Sequence, residues 1–321
     1  RIPSLAGRGV LQSEYVIIPR GRQLTSFTPT GVNGLTFTAK YGVVGLAVVQ
    51  KEFIAEGINE AGLSAGLFFF PHYGGYETYD AAQNQRTLAD LQVTEWLLSQ
   101  FSTIDEVKAA LSSVCVVGLE KTAVVHWRIG EPSGRQVVLE IVGGVPHFYE
   151  NEVGVLTNAP GFEWQLTNLN NYVNLHPGDA SVQKLSGITL QPTGSNSGFL
   201  GIPGDATPPS RFVRAAFYRG TAPQRATGFD TVQQCFHLLN NFDIPIGIEY
   251  SQAGDIPDIP SATQWTSAID LTNRKVYYKT AYNNSIRCID LKAIDFSKVK
   301  YQSQPLDKIQ EQPVEMVKIP Q

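Results

Sequence analysis

The sequence predicts an α+β fold in which two antiparallel sheets pack together and helices lie outside them. Three observations carry that expectation. β-Branched and aromatic runs come in blocks of several strands instead of alternating one by one with helices, which argues against βαβ units. Helical patterns gather between and after those blocks. Neighbouring strand patterns are separated by turn residues such as Tyr41-Gly42 and Gly143-Gly144, close enough for hairpins.

Taken in order, residues 1–12 (RIPSLAGRGVLQ) carry little pattern. Ser13–Pro19 reads as a strand through Tyr15, Val16, Ile17 and Ile18, ending at Pro19-Arg20-Gly21. Leu35–Lys40, Val43–Gln50 and Phe53–Ile58 follow as strands. Leu63–Phe70 is a mostly apolar run suited to a strand buried on both faces. The Pro71–Gln85 loop carries Tyr73, Tyr76 and Tyr79 beside Gly74 and Gly75. It suits a mouth that closes over an apolar ligand, or equally a packed surface loop.

Leu88–Phe101 places Leu88, Leu91, Trp96 and Leu98 near one side of a helix. Thr103 and Glu106 form a capping-box pattern for a second helix through Leu111. Strands return at Thr122–Ile129, Arg135–Ile141, Val145–Tyr149 and Val153–Leu156. Helices are expected near Trp164–Tyr172, over Arg211–Gly220 with Ser210 as N-cap, and at Val232–Asn240. The last strands are Ala262–Asp270, Val276–Thr280 and Ile286–Asp290. No linker or repeat divides residues 1–321, so a single domain is expected, with Gln302–Gln321 as an extended surface tail.

Composition narrows the classes. The chain has 321 residues, 42% of them hydrophobic, ample for a core. A formal net charge of −4 without a lysine or arginine block disfavours nucleic acid and anionic membrane surfaces. No apolar run reaches the ~20 residues that span a bilayer. Cys115, Cys235 and Cys288 are odd in number and far apart, which fits core thiols and not a disulfide framework. The five histidines lack metal-ligand spacing, and His126 beside Trp127 reads as a satisfied core or interface residue. Phosphate-loop, dinucleotide, GxSxG and HExxH signatures are missing, so no cofactor or metal is expected. The chain starts at Arg1, as a processed or trimmed chain does. The sequence leaves the compartment open, with a periplasmic or secreted location slightly favoured over a cytoplasmic one.

Two polar residues stand out. Asn158, in Val153–Trp164 (VGVLTNAPGFEW), sits where a strand pattern meets Pro160-Gly161. It is either a turn former or an amide aimed out of the sheet. Arg211 falls early in its helix, where a cation opposes the helix dipole by ~0.3–1 kcal/mol. That placement asks for a partner such as a carboxylate or thiolate, or leaves the side chain reaching solvent.

Several pieces in consistent order resemble the choloylglycine hydrolase family, which includes bile salt hydrolases and penicillin V acylases. They are Gly57-Ile58-Asn59-Glu60-Ala61-Gly62-Leu63 running into Ala65-Gly66-Leu67, Leu156-Thr157-Asn158-Ala159-Pro160, Asn168-Leu169-Asn170-Asn171-Tyr172, and Pro203-Gly204-Asp205-Ala206-Thr207-Pro208-Pro209-Ser210-Arg211-Phe212. The resemblance implies a four-layer αββα sandwich of the N-terminal-nucleophile hydrolase kind. It also implies hydrolysis of linear amides with an apolar acyl group, such as conjugated bile salts, penicillin V or N-acyl amines, through an N-terminal cysteine thiolate and an acyl-enzyme. By that resemblance Asn158 is the side-chain donor of the oxyanion hole, Phe68 supplies a backbone N–H, and Arg211 lies near the nucleophile. The aromatic Phe69, Phe70 and Tyr73 would contact the acyl group, and the Asn174–Pro203 extension would reach a neighbouring subunit in a homotetramer.

The resemblance departs at the start. The family begins Cys-Thr and later carries a Gly-Arg-x-Met-Asp segment. Here residue 1 is Arg, no cysteine precedes Ser13, and Gly7-Arg8-Gly9 only echoes the second element. Neither Ser4 nor Cys115 has a pattern that would replace the nucleophile. The chain as given is therefore expected to bind such amphiphiles without cleaving them, and to gain turnover when a Cys-Thr first strand is placed ahead of it.

Overall fold

The computed structural model describes residues 13–120, 123–250 and 262–320; Ser4, Gly7-Arg8-Gly9 and the expected strand start at Thr122 lie outside the described residues. Eight strands form the main sheet. They are β1 (Ser13–Ile18), β2 (Val43–Val48), β3 (Ile54–Asn59), β4 (Ser64–Phe69), β5 (Val125–Gly130), β6 (Gln136–Val142), β7 (Val145–Glu150) and, after a second sheet, β11 (Gln302–Pro305). Their order is β7-β6-β5-β4-β3-β2-β1-β11, antiparallel throughout. The β6–β7 hairpin closes at Gly143-Gly144, where φ is +59° and +79°, values that glycine adopts without a Cβ penalty.

The second sheet is β8 (Trp265–Asp270), β9 (Lys275–Thr280) and β10 (Arg287–Asp290), in that order and antiparallel. The main helices are α1 (Val93–Gln100), α2 (Ile104–Ala110), α3 (Phe162–Asn168), α4 (Pro208–Thr221) and α5 (Gly228–Leu239). Every residue of β2 is buried, because the strand has a partner layer on each face. Alternation sends Val43 and Ala47 into the cluster with Trp96, Leu97 and Leu98 of α1. It sends Val44 and Leu46 toward Val276, Tyr278 and Leu291 of the second sheet region. On the far side of that sheet, Val232 and Phe236 of α5 cover Tyr277. The layers therefore run helix, sheet, sheet, helix, which is the αββα sandwich.

Four expected elements are corrected. Val153–Leu156 is not a strand. Asn151 Oδ1 accepts from the N–H of Gly154 and Val155, and Gly154 takes φ +63°, so a side-chain-organised turn replaces ladder bonds. Gln302–Pro305 does not trail on the surface; it pairs with the otherwise open edge of β1, and Leu306 beyond it is buried. The Leu88–Phe101 helix starts at Val93, since Thr87–Ala89 pairs in parallel with Cys115–Val117. The N-cap of α4 is Thr207, with Pro208 and Pro209 in the first turn. Ser210 lies inside the helix and donates to Asp205 Oδ2 at 2.6 Å.

Candidate active site

A cavity of about 610 Å³ opens between the main sheet, the turn at 154–157, the second sheet's edge strand and the α4–α5 pair. Its walls are chiefly apolar: Leu67 and Phe68 from β4, Val155 and Leu156 from the turn, Ala215 and Tyr218 from α4, Leu238 and Leu239 from α5, and Trp265 from β8. Polar groups enter at separate points. Arg211 and Thr157 both line it, and Glu56 of β3 and Arg128 of β5 form an ion pair across Gly66 of the intervening β4, with Arg128 also donating to Ser64 Oγ.

The turn that carries Asn158 is held from several sides. Thr157 Oγ1 donates to the Pro208 carbonyl at the start of α4, at 3.1 Å. Asn158 Nδ2 donates to the Phe69 carbonyl at the end of β4, at 2.7 Å. Arg211 Nη2 donates to Asn158 Oδ1 at 2.7 Å, and its Nε donates to the Ala206 carbonyl at 2.9 Å. The partner that Arg211 asks for is thus an amide oxygen. This bond orients the amide so that its nitrogen, not its oxygen, faces the β4 end. An amide nitrogen has two N–H groups, and one of them is committed to Phe69.

Asp205 braces the approach to α4. It accepts from Ser210 Oγ, from Thr207 Oγ1 and from the Thr207 N–H, and these bonds hold its carboxyl down at about 2. Arg214 donates to the carbonyls of Pro203 and Asp205 at 2.7 and 2.8 Å, fixing the same loop.

Of the six site residues expected from sequence, the structure brings Asn158, Arg211 and Phe68 to one place. The aromatic trio behaves otherwise. Phe69 contributes its carbonyl to Asn158, and pleating turns its ring away from the side Phe68 occupies. Phe70 is buried against the His126 ring, with centroids 4.3 Å apart and planes 9° from parallel. Tyr73 stacks loosely on Phe70 and remains 50% exposed. None of these three rings lines the cavity; Phe68, Tyr218 and Trp265 take that place. Sequence reasoning also missed Glu56, Arg128 and Glu140. The signal was there, since each is a charged residue inside an otherwise apolar strand run.

The three cysteines stand apart from the Asn158–Arg211 pair. Cys115 borders a second cavity of about 520 Å³, Cys288 lies on β10, and Cys235 on α5 lines the wall formed by the helices. Burial pushes the Cys235 thiol up, which disfavours a thiolate there. Among the described residues, no group of three or more His, Cys, Asp or Glu side chains is placed to hold a metal ion. No helix among them is long and apolar enough to cross a membrane.

An αββα sandwich with a turn-borne amide held at the end of β4 beside a cavity at the inter-sheet layer defines the chain as a hydrolase of the N-terminal-nucleophile fold. Residues 10–304 match the model of the linear amide C–N hydrolases, choloylglycine hydrolase family, and the chain belongs to that family. It is 32% identical over 266 residues to a bile salt hydrolase/transferase of Clostridium perfringens, covering 81% of this chain and 79% of the relative. It is 27% identical over 297 residues to a penicillin V acylase of Pectobacterium atrosepticum, covering 83% and 70%. A crystal structure of a variant of the conjugated bile acid hydrolase from Clostridium perfringens superposes with a TM-score of 0.81 at 28% identity, covering 96% of this chain and 92% of that one.

Proposed function

We propose that this chain supplies the acyl-binding cavity and the carbonyl-polarising group of an enzyme that hydrolyses amides of bulky apolar carboxylic acids. The substrates in view are bile acids conjugated to a small amino compound, phenoxyacetyl amides and N-acyl amines. The observation that carries this reading is the Asn158 amide, locked between Arg211 and the Phe69 carbonyl beside a largely apolar cavity. Its remaining N–H would bind the oxygen on which charge develops as a thiolate attacks the carbonyl. Fixed donors of this kind favour the tetrahedral intermediate over the planar amide, which lowers the barrier and not merely the binding constant.

The acyl group would lie against Phe68, Leu156, Tyr218 and Trp265. The thiolate is the family's N-terminal cysteine, freed by removal of a leader, whose own α-amine moves the proton. The test supplies that group explicitly. A Cys-Thr first strand is placed ahead of residue 1 with the cysteine as the free N-terminus, and release of glycine, taurine or phenoxyacetate from the corresponding amides is followed. Turnover that disappears when the cysteine is changed to alanine supports the reading. Equal turnover in the alanine variant sinks it.

The same reading extends to assembly. The segment from Asn174 to Pro203 holds a hairpin, Gln183–Leu185 with Ile188–Leu190, on which Val182, Leu185, Ile188 and Leu190 are all exposed. A solvated hairpin with four large apolar side chains calls for a covering surface, and a neighbouring copy in a homotetramer would supply it.

A further inference from the structure

Behind the Asn158 turn lies a pair of buried side chains that the proposed chemistry does not use. His126 on β5 is 0% exposed and Glu140 on β6 is 3% exposed. The His126 Nδ1 is 3.1 Å from Glu140 Oε1, and its Nε2 is 3.2 Å from the Thr157 carbonyl oxygen. Glu140 Oε1 also accepts the Phe162 N–H at 2.9 Å, at the first turn of α3. The two side chains therefore grip both ends of the strap from Thr157 to Phe162 that carries Asn158. Phe70 stacks flat on the imidazole and fixes its plane.

Counting protons gives this arrangement its content. A carbonyl oxygen only accepts, so the bond to Thr157 requires hydrogen on Nε2. Nδ1 then meets a carboxyl oxygen. One proton must lie between them, either as imidazolium facing carboxylate or as neutral imidazole facing carboxylic acid. Both forms leave the pair with no net charge, whereas removing that proton buries an unpaired anion, which is costly away from water. Geometry and burial demand the same proton count. Two other titratable groups stand near: His147, the cross-strand partner of Glu140, and Tyr149. Burial, with the charges of Glu163 and Glu140, pushes the Tyr149 hydroxyl up to about 12, so it stays neutral and adds no charge.

We propose that His126 and Glu140 share one proton and serve as positioning residues that hold Asn158 in register for the reaction. Neither lines the acyl cavity, so they act through the strap and not on substrate. This role rests on the proposed amide hydrolysis for its kinetic consequence, but its structural consequence is readable without turnover.

The first measurement is ¹⁵N NMR of histidine-labelled protein. His126 is expected to show a protonated Nε2; a ring protonated only at Nδ1 would overturn the proposal. The second is exchange of the Asn158 side-chain amide hydrogens. His126→Phe keeps the stacking on Phe70 but removes both ring bonds, and should speed that exchange at least tenfold. His126→Gln, which keeps a donor toward Thr157, should recover much of the loss. Should His126→Phe not fold, Glu140→Gln serves instead, because either orientation of its amide forfeits one bond at the strap. In the cysteine-led enzyme, His126→Phe should lower kcat at least tenfold while KM stays within threefold. Exchange and kcat both within threefold of the parent would refute the positioning role. A parent that turns over no amide would refute the proposed function alone, and the exchange comparison would still decide this one.

Discussion

Replacing Asn158 by alanine tests the centre of the site, because its two bonds differ in kind and one of them is shared. The bond from Nδ2 to the Phe69 carbonyl is neutral and worth ~0.5–1.5 kcal/mol, while the bond from the Arg211 guanidinium is charge-assisted and worth ~1.5–3 kcal/mol. Asn158→Ala should therefore destabilise the fold by ~2–4.5 kcal/mol in urea unfolding. Arg211→Ala removes the same charge-assisted bond plus the one from Nε to the Ala206 carbonyl, and these two together are worth ~3–6 kcal/mol. The double variant counts the shared bond once, so its loss should fall short of the sum by ~1.5–3 kcal/mol. Independent sites add within ~0.5 kcal/mol, and additivity of that quality would show that the two side chains do not work as a pair. In the cysteine-led enzyme, Asn158→Ala should also cost ~10²–10³ in kcat, the loss of one oxyanion donor. Ligand affinity should hold, since the acyl walls remain. A kcat within fivefold of the parent would remove Asn158 from the chemistry.

Three further outcomes are expected. The capping box at α2 is complete, with Thr103 Oγ1 accepting the Glu106 N–H and Glu106 returning a bond to the Thr103 N–H, so Thr103→Ala should cost ~1 kcal/mol in urea unfolding; no change would show that the neighbouring Ser102–Glu106 bonds carry the helix start alone. Burial pushes the Asp90 and Glu95 carboxyls up to about 7 and about 8, above their unfolded values of 3.8 and 4.5. The folded state then holds extra protons across that window, and stability should fall as pH rises from about 4 to about 8; Asp90→Asn with Glu95→Gln should flatten the slope in denaturant titrations, and an unaltered slope would refute the assignment. Leu185→Glu with Ile188→Glu on the exposed hairpin should reduce the mass in light scattering from a multiple of 35.2 kDa to a single copy, whereas a parent that is already a single copy would end the assembly proposal.

The layers were legible in the sequence because local pattern and tertiary burial agree there. β2 is apolar at every position and is buried on both faces; the capping box sits where its spacing puts it; Gly143-Gly144 closes its hairpin. The misplaced elements share one cause, that a polar side chain or a distant strand outcompeted local propensity. Val153–Leu156 has the residues of a strand, but Asn151 captures the N–H groups a ladder would need. Gln302–Pro305 has no strand pattern of its own and becomes one only because the β1 edge offers it partners some 290 residues away in sequence.

The site divides along the same line. Asn158, Phe68 and Arg211 could be named because each stands in a motif, and the structure gathers them. Phe69, Phe70 and Tyr73 were chosen for composition, and composition does not say which way a pleated strand points its rings. Phe70 proves the difference: its aromatic face is spent on His126, and through it on the strap behind Asn158, so an apolar residue beside the site supports a polar bond within it. Glu140 makes the same point in reverse. A carboxyl amid valines and isoleucines in β6 is costly to bury, and it is compensated by two bonds, to His126 and to the Phe162 N–H, that converge on the segment bearing the candidate catalytic amide. A charged residue that breaks an apolar strand was therefore a sequence signal for the site's supporting structure, and following Glu140 to its partners leads back to the strap that bears Asn158.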